Sequence, residues 1–108
     1  MVGIEWTRQA LGDVTDICEF IAKDSPSYAQ VFAGDVFEAV ERLNRFPKSG
    51  RIVPEYGKPA IREIILGNYR IIYRIIGARV QILTIYHSAR LLPGKNIPNR
   101  RRCANFLD

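Results

Sequence analysis

Between Pro47 and Pro59 the chain sets Pro47, Gly50, Pro54, Gly57 and Pro59 so close together that neither a helix nor a strand can persist. Apolar residues before this segment recur at helical spacing. Those after it fall into three short runs rich in Ile, Val and Tyr, as strands require. Helices on one side of a breaker and strands on the other predict an α+β fold.

In the first half, residues 2–6 read as a short N-terminal strand, and Thr7 supplies the side-chain oxygen a helix N-cap needs. Ala10, Val14, Ile17 and Ile21 form one stripe, with Asp13, Asp16, Glu19 and Lys23 turned elsewhere, so the first helix is expected to end near Lys23. Ser25-Pro26 restarts the pattern, because proline at the first helical position has its φ preset. Phe32, Val36, Ala39, Val40 and Leu43 make the second stripe, which should stop near Arg45 or Phe46. The short connection favours an antiparallel helical hairpin. It should pack on a three- to four-stranded, mainly antiparallel sheet.

The strands are read as 61–66, 69–76 and 80–87, joined at Gly67-Asn68 and Gly77-Ala78-Arg79. Two-residue turns pair Leu66 with Tyr69, Glu63 with Ile72, Ile76 with Arg79 and Arg70 with Ile85. One face then carries Ile64, Leu66, Tyr69, Ile71, Tyr73, Val80 and Ile82 and belongs under the helices. The other carries Glu63, Arg70, Arg74, Gln81 and His87 among Ile72, Leu83 and Ile85. On this register His87 lies diagonally from Arg70, roughly 7–8 Å between α-carbons, where both could meet one phosphate. The plainer reading is that Glu63 neutralises Arg70 and Arg74 across the strands. One bulge would invert a strand's faces. Ile72, Leu83 and Ile85 need a cover, from the C-terminal tail or from a helix or strand of a partner.

A length of 108 residues with 47% hydrophobic content suits one domain, 1–90, followed by a tail, 91–108, that contains Pro93, Gly94, Pro98 and Arg100-Arg101-Arg102. So small a domain has little room for a deep cofactor pocket, which points to a macromolecular target. The net charge of +5 suits a polyanion or an acidic protein. Cys18 and Cys103 lack metal or redox spacing, and Cys18 is expected in the core. No metal and no cofactor are expected. Met1-Val2-Gly3-Ile4-Glu5 has no leader pattern, and no long apolar run follows, so a cytoplasmic location without membrane contact is expected.

The segments Leu43-Asn44-Arg45-Phe46-Pro47, Gly50-Arg51-Ile52-Val53-Pro54-Glu55, Ile61-Arg62-Glu63, Asn68-Tyr69-Arg70-Ile71-Ile72-Tyr73-Arg74-Ile75 and Ile85-Tyr86-His87 resemble the RelE/ParE toxin superfamily, from about Ile4 to Arg90. The resemblance implies a growth-arresting toxin of a bacterial type II toxin–antitoxin system, neutralised by a cognate antitoxin and touching promoter DNA only within that complex. One branch cuts mRNA on the ribosome; the other inhibits DNA gyrase. For the first, the resemblance implies catalysis by Arg70 on the phosphate and His87 as general acid, with Glu63 or Glu55 as base. However, Ile61-Arg62-Glu63 lacks the lysines typical of that branch, so gyrase inhibition is the favoured expectation. Antitoxin binding is expected at Ile72, Arg74, Leu83 and Ile85, and target binding at Arg51, Arg62 and Arg90.

Overall fold

The computed structural model describes residues 3–87. Strand β1 (Gly3–Trp6) leads into helix α1 (Arg8–Ala22), then α2 (Pro26–Glu41) and a single 3-10 turn, Arg42–Asn44. Four strands follow: β2 (Arg51–Ile52), β3 (Ile61–Leu66), β4 (Tyr69–Ile76) and β5 (Arg79–His87). Thr7 caps α1 by accepting from the Ala10 amide at 3.1 Å. Ser25 caps α2 by accepting from the Tyr28 amide at 3.2 Å, with Pro26 in the first turn. Both helices thus start where a side-chain oxygen satisfies an otherwise orphaned N–H.

The sheet order is β1-β5-β4-β3-β2, with β1 parallel to β5 and the other pairs antiparallel. Five strands replace the expected three to four. The addition is β2, two residues long inside the proline- and glycine-rich segment, with Arg51 opposite Glu63 and Ile52 opposite Arg62. Only two residues there escape the turn-forming neighbours, too few for a periodic signal.

The helices cover one sheet face. Ala10 and Val14 of α1 join Phe32, Val36, Ala39 and Val40 of α2 and Leu43, over Ile71, Tyr73, Val80, Ile82 and Ile85. Ile64, Leu66 and Tyr69 pack against this cluster, so every residue assigned to the helix side is found there. Cys18 also packs against it, and partial burial pushes its thiol pKa up.

The β3–β4 register is the expected one. In β4–β5 it shifts: Ile72 pairs with Thr84 but Tyr73 with Ile82, leaving Leu83 as the extra residue of a β-bulge. Beyond it Arg70 opposes Tyr86, not Ile85, and His87 opposes Tyr69. Ile85 therefore lies in the helix-side core, and Tyr86 joins Ile72 and Leu83 in the opposite cluster. Helix α1 holds the bulge. The Thr7 hydroxyl lies 2.6 Å from the Ile82 carbonyl and 3.1 Å from that of Leu83, as their donor. Asp13 accepts from the Thr84 hydroxyl and from the Ile85 amide, the latter at 3.1 Å.

The second face is covered from within. Val53, from the segment between β2 and β3, is buried in one cluster with Ile61, Ile72, Leu83 and Tyr86, and Tyr56 packs against it. This strap is anchored at its start by Tyr73, whose hydroxyl donates to the Pro47 carbonyl at 2.7 Å and accepts from the Gly50 amide at 3.0 Å. A β-carbon on Gly50 would stand 2.6 Å from both the Glu63 carbonyl oxygen and the Tyr73 hydroxyl, so this close approach requires glycine.

Burial pushes the Tyr73 phenol above the ordinary tyrosine value of 10.0, while the Gly50 amide and Arg62 oppose the shift. The unfolded chain ionises first, so this contribution to stability is complete below about pH 10 and is lost as pH rises toward the folded value. Urea titrations of the wild type should show this alkaline loss, and Tyr73→Phe should lack its share of it. At pH 7 the same variant should be about 1–3 kcal/mol less stable, since the Gly50 N–H and Pro47 C=O lose their partner. An unchanged alkaline limb in Tyr73→Phe would dissociate the effect from this phenol.

Candidate functional site

Strands β3 and β4 bring two charged side chains to the strap-covered face. Glu63 is 1% exposed and Arg70 is 6% exposed. A carboxylate so far from water must be answered by nearby cations and donors. Arg70 Nε donates to Glu63 Oε1 at 2.5 Å, and Arg51 Nε donates to Glu63 Oε2. The two terminal nitrogens of Arg70 grip Glu55 of the strap in a fork, Nη1 to Oε2 at 2.8 Å and Nη2 to Oε1 at 2.9 Å. Such a bidentate pair is the strong form of an arginine–carboxylate contact. It raises the Arg70 pKa further, first through the Glu55 hydrogen bond, with Glu63 adding to it and burial opposing.

The arginine expected to hold a phosphate is therefore present, buried and engaged by two carboxylates. Arg70 and Glu63 come together as expected, with Glu55 joining them. The expected partner Arg74 instead donates to Gln81 at 2.8 Å, and Arg51 takes the place assigned to it on Glu63. Tyr86, opposite Arg70, is buried on the same face. Sequence reasoning missed it, although a signal existed: in Ile82-Leu83-Thr84-Ile85 the alternation of β5 skips a beat.

His87 is not on that face. Its ring meets Tyr69 edge-on, with centroids 5.3 Å apart, and it lines a groove of about 370 Å³ with Asp13, Asp16, Ile17 and Phe20 of α1. The diagonal approach of His87 to Arg70 is thus corrected by the bulge, which turns the end of β5 over.

The expected docking residues are also redistributed. Ile72 and Leu83 are buried beneath the strap, and Ile85 is in the helix-side core. Of the basic residues expected at the target, Arg51 is exposed. Arg62 fastens the strap through the carbonyls of Pro59 and Gly50, each at 3.0 Å, and Lys48 at 3.3 Å. Arg90 and the tail lie outside the described residues. Among the described residues no group of three or more His, Cys, Asp or Glu side chains is placed to hold a metal, and no helix is long and apolar enough to cross a membrane.

Truncating Arg70 strands buried carboxylate charge, so Arg70→Met should destabilise the fold by about 3–5 kcal/mol. Combined with Glu63→Leu, the loss should be smaller than the sum of the two single losses by at least about 1 kcal/mol. Chemical denaturation of the four proteins measures this coupling; additive losses would contradict it.

The chain is similar to known proteins in sequence and in fold. Residues 4–92 match the family described as the ParE toxin of the type II toxin–antitoxin system parDE. Toxin RelE2 of Caulobacter vibrioides is 34% identical over 92 residues, covering 84% of this chain and 100% of that protein. Y4kP of Sinorhizobium fredii is 37% identical over 92 residues, 83% of this chain and 92% of its own. Among solved structures, the chromosomal ParDE system of P. aeruginosa superposes with a TM-score of 0.67 at 27% identity, over 81% of this chain and 96% of that one. The RelBE2 toxin–antitoxin complex of Mycobacterium tuberculosis shares the fold, with a TM-score of 0.53 at 24% identity, over 82% and 93% of the two chains. With the family match spanning both the helical hairpin and the whole sheet, this chain belongs to the ParE toxin family of type II toxin–antitoxin systems.

Proposed function

We propose that this toxin arrests growth by inhibiting DNA gyrase through a non-catalytic docking surface, and that a cognate antitoxin neutralises it, with promoter DNA contacted only through their complex. The observation that carries this reading is the state of Arg70, whose donors are turned inward to Glu55 and Glu63. A phosphate-gripping arginine needs its fork directed at the substrate. His87, on the opposite face of the sheet, is poorly placed to protonate a leaving group held by Arg70. The family match to ParE toxins supports the same target, and the two solved relatives, each titled as a toxin–antitoxin system or complex, support the antitoxin partner.

A second reading, ribosome-dependent mRNA cleavage, draws on the similarity to Toxin RelE2 and on the gathering of Arg70, Glu55 and Tyr86 on one face. Under that reading Arg70 exchanges Glu55 for the scissile phosphate.

Induction without antitoxin, followed by labelled thymidine and labelled methionine over the first minutes, separates the two. Gyrase inhibition requires thymidine incorporation to fall first, and His87→Ala to remain as toxic as the wild type. An early collapse of methionine incorporation, with thymidine incorporation intact, would replace this proposal with the nuclease reading.

A further inference from the structure

A groove of about 290 Å³ runs between the C-terminal end of α2 and the outer edge of β3, lined by Ala39, Arg42, Phe46, Ser49, Arg51 and Ile65 among others. It meets the Arg70 cluster only at Arg51 and Glu63 and shares no lining residue with the groove beside His87. Phe46 is 60% exposed and Ile65 49% exposed on its walls. The aromatic ring is carried on a fixed backbone: the Phe46 amide donates to the Arg42 carbonyl at 2.9 Å, and the Phe46 carbonyl accepts from the Ser49 amide at 3.0 Å. An exposed aromatic side chain on ordered backbone loses little freedom on binding, which is the character of an interface anchor.

The surrounding charge selects the partner. Arg42, Arg45, Lys48 and Arg51 are all exposed along this short segment. Glu63, the carboxylate in the groove lining, already answers Arg51 and Arg70. Glu38 and Glu41 lie beside Arg42 and Arg45 and offset part of that charge, but the four basic residues still outnumber the carboxylates Glu38, Glu41 and Glu63 around them. The remaining positive field suits an acidic group. Phe46, Ile64, Ile65 and Ala39 supply apolar lining that a phosphate chain would leave uncovered, whereas a protein segment with an acidic residue among apolar ones uses both.

We propose that this groove is the surface by which the toxin grips gyrase, receiving an acidic, apolar-flanked segment of that protein with Phe46 as anchor and Arg42 and Arg51 as its charged rim. The assignment rests on the gyrase reading. β2 starts only at Arg51, opposite Glu63, while β3 continues to Leu66, so the wall around Ile65 extends past its neighbouring strand.

The test is gyrase supercoiling in vitro, titrated with full-length wild type, Phe46→Ala, Arg42→Glu and Lys23→Glu. Lys23, at the opposite end of the helical hairpin, controls for net charge alone. The antitoxin encoded beside the toxin is titrated against each variant, and circular dichroism melts check the fold. Phe46→Ala and Arg42→Glu should each raise the half-inhibiting concentration at least about tenfold, as truncated hot spots do. Lys23→Glu and every antitoxin affinity should stay within about twofold. Groove variants that inhibit as well as an active wild type would overturn the groove while leaving the gyrase reading standing. A parallel loss of antitoxin binding would overturn it by making the groove the antitoxin's seat. A folded wild type inert on gyrase would remove both the reading and the proposed partner.

Discussion

A carboxylate buried in a sheet is tolerated only where opposing charge meets it at once, and Glu63 organises this molecule around that condition. Its two oxygens join β3 to Arg70 of β4 and to Arg51 of β2. Because Arg70 has a fork left over, it also captures Glu55 and draws the strap down onto the sheet. With the strap in place, Val53 lies among Ile72, Leu83 and Tyr86, and a face that would otherwise be wet becomes a second small core. The network thus fixes the shortest strand, covers the sheet and occupies the arginine. The same contacts that stabilise the fold restrict the chemistry open to that face.

Much of this is legible in the sequence. Thr7 and Ser25-Pro26 marked both helix starts, and the Gly67-Asn68 turn set the β3–β4 register, because each signal is local and chemical. The pairing of Glu63 with Arg70 followed from that register. Three features escaped. The bulge at Leu83 depends on Thr7 and Asp13 reaching across from α1, over more than seventy positions of sequence. The strand Arg51–Ile52 is too short to have a period. The cover over Ile72 and Leu83 comes from the strap and not from a tail or partner, and it has no sequence signal because Val53 and Tyr56 lie among prolines and glycines, where apolar residues carry no visible phase.

The bulge shows how one extra residue divides a surface. Up to Ile82, β5 keeps simple alternation; past Leu83 the two faces exchange, sending Ile85 to the helices and Tyr86 to the strap. His87 then borders α1 instead of the charged cluster. The separation of the histidine from the arginine is therefore a property of backbone count, and it is secured by two polar side chains, Thr7 at the cap of α1 and Asp13 within it.

The parallel pairing of β1 with β5 also imposes an order in time. Thr7 and Leu83, which meet in the finished sheet, are 76 positions apart, so the first strand emerges from the ribosome long before its neighbour exists. At bacterial elongation rates of roughly 5–20 residues per second, the helical hairpin waits on the order of several seconds for the strand that completes it. Throughout that interval the nascent chain has neither the bulge nor the charged seam, both of which need β4 or β5. The bulge, the charged seam and the five-stranded sheet therefore close together, as one late event that the helical hairpin precedes.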